Sequence, residues 1–133
     1  MKIKANKNLT RKKAYDAGID IPLESPLMLR PGVVYPVTIP TGLSVEIPKG
    51  FMGMLIPRTS AARRGIHIAA SPIDSGYTGI IHMIITYTGT HIELINEGES
   101  IAQLVILPCI LAELVTEIEN DDRGAGAFGS TGK

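Results

Sequence analysis

Arg30-Pro31-Gly32-Val33-Val34-Tyr35-Pro36-Val37-Thr38-Ile39-Pro40-Thr41-Gly42-Leu43-Ser44-Val45-Glu46-Ile47-Pro48-Lys49-Gly50 decides the class of this chain. Three clusters of glycine and proline, Arg30–Gly32, Pro40–Gly42 and Pro48–Gly50, bracket two apolar segments, Val33–Ile39 and Leu43–Ile47. Both segments carry valine and isoleucine, whose branched side chains suit a pleated strand better than a helix. Neither is long enough for an ordinary helix. The same grammar continues outward. Pro26 precedes it, and Arg64-Gly65, Gly76, Gly79, Gly89 and Gly98 follow it. Between these marks lie Met52–Ile56, Ile80–Tyr87, Ile92–Ile95 and Ile101–Leu107. Short apolar segments at spacings of about 8–12 residues, closed by glycine or proline, predict an all-β sandwich or barrel. No stretch before residue 110 reads as a helix of ordinary length.

The two ends read differently. Lys2–Lys13 is basic, with room for a short edge strand. Ile19, Ile21 and Leu23 then alternate with Asp20 and Pro22, a strand period, and the proline suits an edge. Near the other end, Leu111, Leu114, Val115 and Ile118 recur at i, i+3, i+4 and i+7, so period alone predicts an amphipathic helix over Ile110–Glu119. From Arg123 to Lys133 the chain is glycine-rich and cannot build a core. No internal repeat and no second domain is evident.

Composition narrows the function. Lys+Arg and Asp+Glu are equal at 13 each, which argues against a protein that grips nucleic acid through a positive field. A small anionic ligand remains open, because it needs only a few local cations. A near-neutral, 44% apolar chain also suits burial in an oligomer. The single cysteine, Cys109, cannot form an intrachain disulfide and fits a reducing compartment. No signal-peptide or membrane-spanning run is present, so a cytoplasmic location is expected.

Several familiar chemistries are missing. His67, His82 and His91 lack metal-ligand spacing and read as strand or surface residues. No nucleophile elbow and no phosphate loop occurs. What remains is a set of short constellations. Ser71-Pro72-Ile73-Asp74-Ser75-Gly76-Tyr77-Thr78-Gly79 reads as a hairpin turn, flanked by Ile66 and Ile68 before and Ile80–Ile85 after, with Asp74 and Tyr77 near its tip. Pro57-Arg58-Thr59-Ser60-Ala61-Ala62-Arg63-Arg64-Gly65 offers a forked guanidinium and two hydroxyls, either for an oxyanion or as a solvated polar turn. Gln103 stands inside an apolar strand and must find partners, either internal or on a ligand. Asp20 and Asp74 are hard oxygen ligands, bases or ordinary turn carboxylates. In the tail, Arg123, Ser130, Thr131 and glycine amides suit phosphate, and Phe128 suits a base, unless that end is simply unstructured.

Taken in order, these segments resemble the five motifs of the trimeric deoxyuridine triphosphatase (dUTPase) family. They are Ala17-Gly18-Ile19-Asp20, then Pro57–Ala62, then Ile73–Gly79, then Gly98-Glu99-Ser100-Ile101-Ala102-Gln103-Leu104, and last Arg123 with Gly126–Gly132. They span residues 17 to 132, and five matches at compatible spacing are highly specific. The resemblance implies a homotrimer of jelly-roll-like, distorted β-barrels over residues 1–122, with a flexible glycine-rich tail, 123–133, that closes the active site. It also implies that Ile110–Thr116 is extended, against its helical period.

The implied reaction is dUTP + H2O → dUMP + pyrophosphate. By resemblance, Asp74 is the general base that activates water for attack on the α-phosphorus. Mg2+ clamps the triphosphate, with Asp20 holding the metal's waters. Arg58, Thr59, Ser60 and Gln103 hold phosphates, and Gln103 also touches the attacking water. Tyr77 packs on the sugar and leaves no room for a 2′-hydroxyl. Ser71, Ile73 and the strand near His82 supply the backbone groups that read uracil. Phe128 stacks on the base, and Arg123, Gly129, Ser130 and Thr131 close on the β- and γ-phosphates. Each site draws on three subunits.

Four positions depart from the family pattern. Thr59 stands where serine is usual, Ser71-Pro72 where a glycine-containing pair is usual, Thr78 where arginine is common and Ala127 where glycine is common. None removes a catalytic group. Pro72 has no N–H, so it cannot donate to the base. The nearest rival is a dCTP deaminase on the same barrel, which uses a glutamate in the strand after the turn. Here that strand, Ile80–Thr86, holds no carboxylate. A regulatory binding protein on the same scaffold is the other alternative.

Overall fold

The computed structural model describes residues 1–69 and 71–117. The punctuated segments are strands, and every pairing is antiparallel. Chain order is β1 (Lys4–Ala5), β2 (Ile19–Pro22), β3 (Leu27–Leu29), β4 (Val37–Pro40), β5 (Val45–Glu46), β6 (Phe51–Pro57), a short helix α1 (Thr59–Arg63), β7 (Ile66–Ile68), β8 (Pro72–Ile73), β9 (His82–Tyr87), β10 (Glu93–Ile95) and β11 (Ser100–Pro108). They form a four-stranded sheet in the order β2-β11-β6-β8, a three-stranded sheet β4-β9-β7, and the pairs β1-β5 and β10-β3. One core cluster takes residues from all four sheets, including Ile21, Leu29, Val45, Leu55, Ile66, Ile73, Met83, Ile85, Ile95 and Leu104. This is a distorted, jelly-roll-like barrel.

Alternation explains most strand faces. Along β9, Met83, Ile85 and Tyr87 are buried, while His82 and Thr86 are exposed. Pro22 closes an edge strand, as its missing N–H requires. Among the described residues the one buried polar side chain is Thr41, and its hydroxyl both donates and accepts. Its hydroxyl donates to the Ile81 carbonyl at 2.7 Å and accepts from the Leu43 amide at 3.1 Å. That pair of bonds ties the β4–β5 turn to the start of β9.

Four local readings are corrected. The segment Val33–Ile39 becomes a strand only from Val37, because Pro36 has no ladder donor, and Val34 and Tyr35 stand in solvent. Leu43–Ile47 shortens to the two-residue strand β5. Residues 110–117 contain no helical turn, so the helix that period alone predicts over Ile110–Glu119 is absent there, in line with the non-helical course that the family resemblance implies for Ile110–Thr116; Ile118 and Glu119 lie outside the described residues. Four apolar residues of that segment, Ile110, Leu111, Leu114 and Val115, are 62% exposed or more, so among the described residues the apolar face that would fold a helix has nothing to pack on.

The hairpin around Asp74 is the fourth. Its outer flanks do pair, Ile66 with Tyr87 and Ile68 with Ile85. Past Ala69, which donates to the Ile84 carbonyl, the ladder stops. Pro72–Ile73 leaves β9 and joins β6 in the other sheet, with Ile73 opposite Gly53. Gly53 permits that approach, since a Cβ there would sit 3.2 Å from the Ile73 Cβ and 2.9 Å from Ile47 Cδ1. The Asp74 turn therefore bridges the two sheets.

Candidate active site

The first group of expected site residues assembles around the β2–β11 edge. Asp20, Arg58, Thr59, Ser60 and Gln103 line one pocket of about 320 Å³, with Lys12, Asp16, Ala17 and Gly18 completing its wall. Arg58 follows β6 directly and is fixed by its backbone, whose amide donates to the Ile101 carbonyl at 2.8 Å. Its guanidinium Nη1 donates to the Ser100 carbonyl at 3.2 Å, and its Nε lies 3.3 Å from Asp20 Oδ1. Lys12 Nζ approaches the other Asp20 oxygen at 3.8 Å. One carboxylate thus holds two cations at the mouth of the pocket. Thr59 and Ser60 begin α1 and are exposed, while Ala61 anchors the helix in the core at 1% exposure.

Gln103 reaches this pocket because of a backbone irregularity. β11 pairs Ser100 with Pro22, and then Ala102, not Ile101, with Ile21, a β-bulge. Ile101 and Ala102 are consequently both buried in succession. A regular strand would have put Gln103 on the core face with Ile101. The extra residue flips it to the pocket face, where the carboxamide Nε2 donates to the Pro57 carbonyl at 3.4 Å. The space it occupies is open because residue 18 is a glycine. A Cβ at Gly18 would overlap the Gln103 carboxamide and would lie 2.9 Å from its Cβ.

The second group lies elsewhere. Ser71, Ile73, Asp74, Tyr77 and His82 line a pocket of about 230 Å³ with Pro72, Ala69, Leu55, Ile81 and Ile84. Its floor is apolar and its rim polar. Ile73 is buried, and Ser71 and Asp74 are exposed. A turn fixes the two chemical groups relative to each other, with the Tyr77 amide donating to the Asp74 carbonyl at 3.0 Å. The Tyr77 hydroxyl donates to the Ile80 carbonyl at 2.6 Å, which folds the ring back over Gly79.

No residue belongs to both pockets. A single chain therefore brings together Asp20, Arg58, Thr59, Ser60 and Gln103, and separately the residues around Asp74, but does not join the two sets. That separation within one copy is compatible with the expectation that each site draws on three subunits. Arg123, Phe128, Gly129, Ser130 and Thr131 lie outside the described residues. His67 and His91 are exposed and line neither pocket.

Three groups were not singled out from sequence. Lys12 lines the phosphate-type pocket, and its only signal was the basic run Arg11-Lys12-Lys13. A compact loop presents it: Arg11 Nε donates to the Asp16 carbonyl at 2.8 Å and the Lys13 amide to Asp16 Oδ2 at 3.0 Å. Gly18 enters from sequence only as part of a motif. The third is the Arg64–Glu93 ion pair at 2.7 Å, which ties the end of α1 to β10. The hydrogen bond from Arg64 holds the Glu93 carboxyl below its ordinary range, and the same bond raises Arg64. Arg64 also lines a larger cavity of about 520 Å³ that continues from the phosphate-type pocket through Lys12, Asp20, Arg58 and Ser60.

Among the described residues, no cluster of three or more His, Cys, Asp or Glu forms a metal cage, and no helix is long and apolar enough to cross a membrane.

Known proteins give this geometry a family. The dUTPase family model matches residues 4–132. The deoxyuridine 5'-triphosphate nucleotidohydrolase of Bdellovibrio bacteriovorus is 42% identical over 124 residues, covering 88% of this chain and 82% of that protein. The enzyme of the same name from an Anaeromyxobacter species is 39% identical over 122 residues with the same coverage. Among solved structures, a Staphylococcus bacteriophage 80alpha dUTPase with dUpNHpp superposes with a TM-score of 0.82 at 26% identity, covering 98% of each chain. The dUTPase of phage phi11 of S. aureus shares the fold, with a TM-score of 0.80 at 24% identity over 90% of this chain and 98% of that one. Two relatives at about 40% identity and a family match across nearly the whole sequence leave one assignment: the chain belongs to the dUTPase family.

Proposed function

We propose that the protein is a dUTP diphosphatase that hydrolyses dUTP to dUMP and pyrophosphate, limiting uracil in DNA and supplying dUMP for dTMP synthesis. The observation that carries this reading is the pairing of two pockets with complementary chemistry. One is lined by forked cation, hydroxyl and carboxamide donors suited to a phosphate chain. The other has an apolar floor, a tyrosine ring and a carboxylate, suited to a nucleoside and its α-phosphate.

The reaction needs both pockets, and one copy keeps them apart. We therefore place the complete site between subunits of a homotrimer, with the Asp74 pocket of one copy facing the Arg58 pocket of the next. The non-helical segment 110–117 supports assembly. Ile110, Leu111, Leu114 and Val115 are apolar and exposed in the single chain, a surface that another copy would cover. The tail, residues 123–133, follows the barrel of residues 1–122 and supplies Arg123, Phe128, Gly129, Ser130 and Thr131 as a lid. The setting is cytoplasmic, in keeping with the lone cysteine.

In this site Asp74 accepts a proton from water, and the water oxygen bonds to the α-phosphorus. The α–β bridging bond breaks, and its electron pair leaves with pyrophosphate. Arg58, Thr59 and Ser60 hold the phosphate oxygens, and Gln103 orients the water or an α-phosphate oxygen. Tyr77 stands against the sugar. Ser71, Ile73 and the backbone near His82 read uracil, and Pro72 contributes no donor.

Mg2+ fits this donor set as an ion held mainly by substrate. Asp20 is a single carboxylate already shared with Arg58 and Lys12, too little for a protein-only cage but enough for a metal-bound water. When bound, the ion offsets phosphate charge and eases departure of pyrophosphate.

Incubation with Mg2+ and dUTP, dCTP, dTTP or UTP, with pyrophosphate assayed, tests the reading. Release from dUTP alone is expected. No release from dUTP overturns it. Ammonia from dCTP would instead indicate deamination, a chemistry for which β9 offers no carboxylate.

A further inference from the structure

The Ile80 carbonyl accepts from two side chains at once. The Tyr77 hydroxyl donates at 2.6 Å, and His82 Nδ1 lies 3.0 Å from the same oxygen. A carbonyl oxygen only accepts, so the Nδ1 atom of His82 carries the proton in this contact. Both lone pairs of Ile80 O are then engaged by the walls of the nucleoside pocket, which Tyr77 and His82 line together.

The two donors differ in how firmly they are held. Tyr77 belongs to an exposed turn, is itself 43% exposed, and Ile80 is 37% exposed. His82 begins β9, between Ile81 and Met83, which are 3% and 0% exposed, and its backbone pairs with Pro40. The imidazole therefore links the rigid sheet to the Ile80 peptide, and that peptide is where the tip of the Tyr77 ring is anchored. At its other end the residue is held by the Asp74 carbonyl, through the Tyr77 amide.

We propose that His82, by donating to the Ile80 carbonyl beside the Tyr77 hydroxyl, is a specificity-determining positioning residue. It holds the Tyr77 ring where the ring excludes a 2′-hydroxyl. This role rests on the dUTP reading above and adds to it a side chain that acts through Ile80 rather than on the nucleotide. Without the imidazole, the Ile80 peptide keeps the bond from its N–H, on Ile81, to the Leu43 carbonyl at 2.8 Å, but its carbonyl loses the donor that aims it from the sheet side, the ring is anchored less firmly, and a ribose is rejected less sharply.

The test compares kcat/KM for dUTP and UTP in wild type, His82→Ala, His82→Asn, Tyr77→Phe and the Tyr77→Phe/His82→Ala pair. Asparagine is the informative replacement, because its amide nitrogen lies the same number of bonds from Cβ as histidine Nδ1. Loss of one net hydrogen bond predicts that His82→Ala lowers the dUTP-over-UTP preference about 3–10-fold. His82→Asn restores most of it. In the Tyr77→Phe background the alanine change has no further effect, since the anchored hydroxyl is already gone. An unchanged preference in His82→Ala, or an equal drop in the Tyr77→Phe background, overturns the proposal. Ring nitrogen shifts of His82 in the ligand-free protein give an independent reading: an Nδ1–H tautomer is expected, and an Nε2–H tautomer overturns it. A wild type that releases no pyrophosphate from dUTP sinks the catalytic reading itself, a result distinct from a wild type that does so while His82→Ala behaves identically.

Discussion

Gly18 and Gln103 occupy one volume: the Gln103 carboxamide fills the space that a side chain at residue 18 would take. The two residues are on neighbouring strands or their approaches, β11 and the lead into β2, and the β-bulge at Ser100–Ala102 turns Gln103 toward that space. A glycine far from Asp74 in sequence thus makes room for the Gln103 carboxamide in the Arg58 pocket.

Gly18→Ala therefore perturbs the pocket in two ways: the Gln103 carboxamide can swing away, but its Cβ, 2.9 Å from the added methyl, moves only with the β11 backbone. Displacing a positioning group by about 1 Å can cost about 10²-fold in rate, and turnover of dUTP should fall by about that factor. The double variant with Gln103→Ala should be no slower than Gln103→Ala alone. Pyrophosphate release from the three variants measures both points, and additive losses would show that Gly18 acts through something else.

Asp74→Asn keeps the size and removes the carboxylate proposed as general base. General-base catalysis contributes about 10²–10⁴-fold, so kcat should drop by at least that order while dUTP is still bound. Isothermal titration with dUTP beside single-turnover kinetics separates the two effects. Loss of binding with unchanged kcat would make Asp74 a ligand contact instead.

The exposed arm and the tail should separate on truncation. A chain ending at Asp122 retains the apolar arm and should sediment as a trimer with strongly reduced turnover. A chain ending at Pro108 loses Ile110, Leu111, Leu114 and Val115, whose exposure marks them for an interface, and should not form the trimer. Sedimentation velocity of both chains decides; a trimer from the shorter one would place the interface elsewhere on the barrel.

The Arg64–Glu93 pair predicts a pH-dependent stability. The Glu93 carboxyl is held below its ordinary value by the hydrogen bond from Arg64. A lowered folded-state pKa stabilises above the unfolded value, and that gain is lost as pH falls through the lowered one. Glu93→Gln should thus melt below wild type at pH 7, and the gap should close as the pH drops beneath the ordinary carboxylate range. A gap independent of pH would mean that the charge on Glu93 contributes nothing.

The sequence by itself determined the class of fold and named the candidate residues of the site. Glycine and proline at short intervals forbid long helices, and valine and isoleucine between them favour strands, so β4, β6, β9, β10 and β11 were legible from local chemistry. The order of motifs named Asp20, Arg58, Asp74, Tyr77 and Gln103 before any contact was visible. Period misled over residues 110–117, because amphipathic spacing makes a helix only where a second surface covers the apolar side, and the described residues provide none. Tertiary structure alone decided the rest. A single extra residue in β11 sends Gln103 out of the core, and no pattern of hydrophobicity announces which strand will bulge. Pro72–Ile73 crosses to β6 because Gly53 leaves room for it, a contact between segments distant in sequence. The separation of the Arg58 pocket from the Asp74 pocket is likewise a property of three-dimensional placement. Spacing along the chain says which groups are present, but only packing says which of them can touch the same substrate.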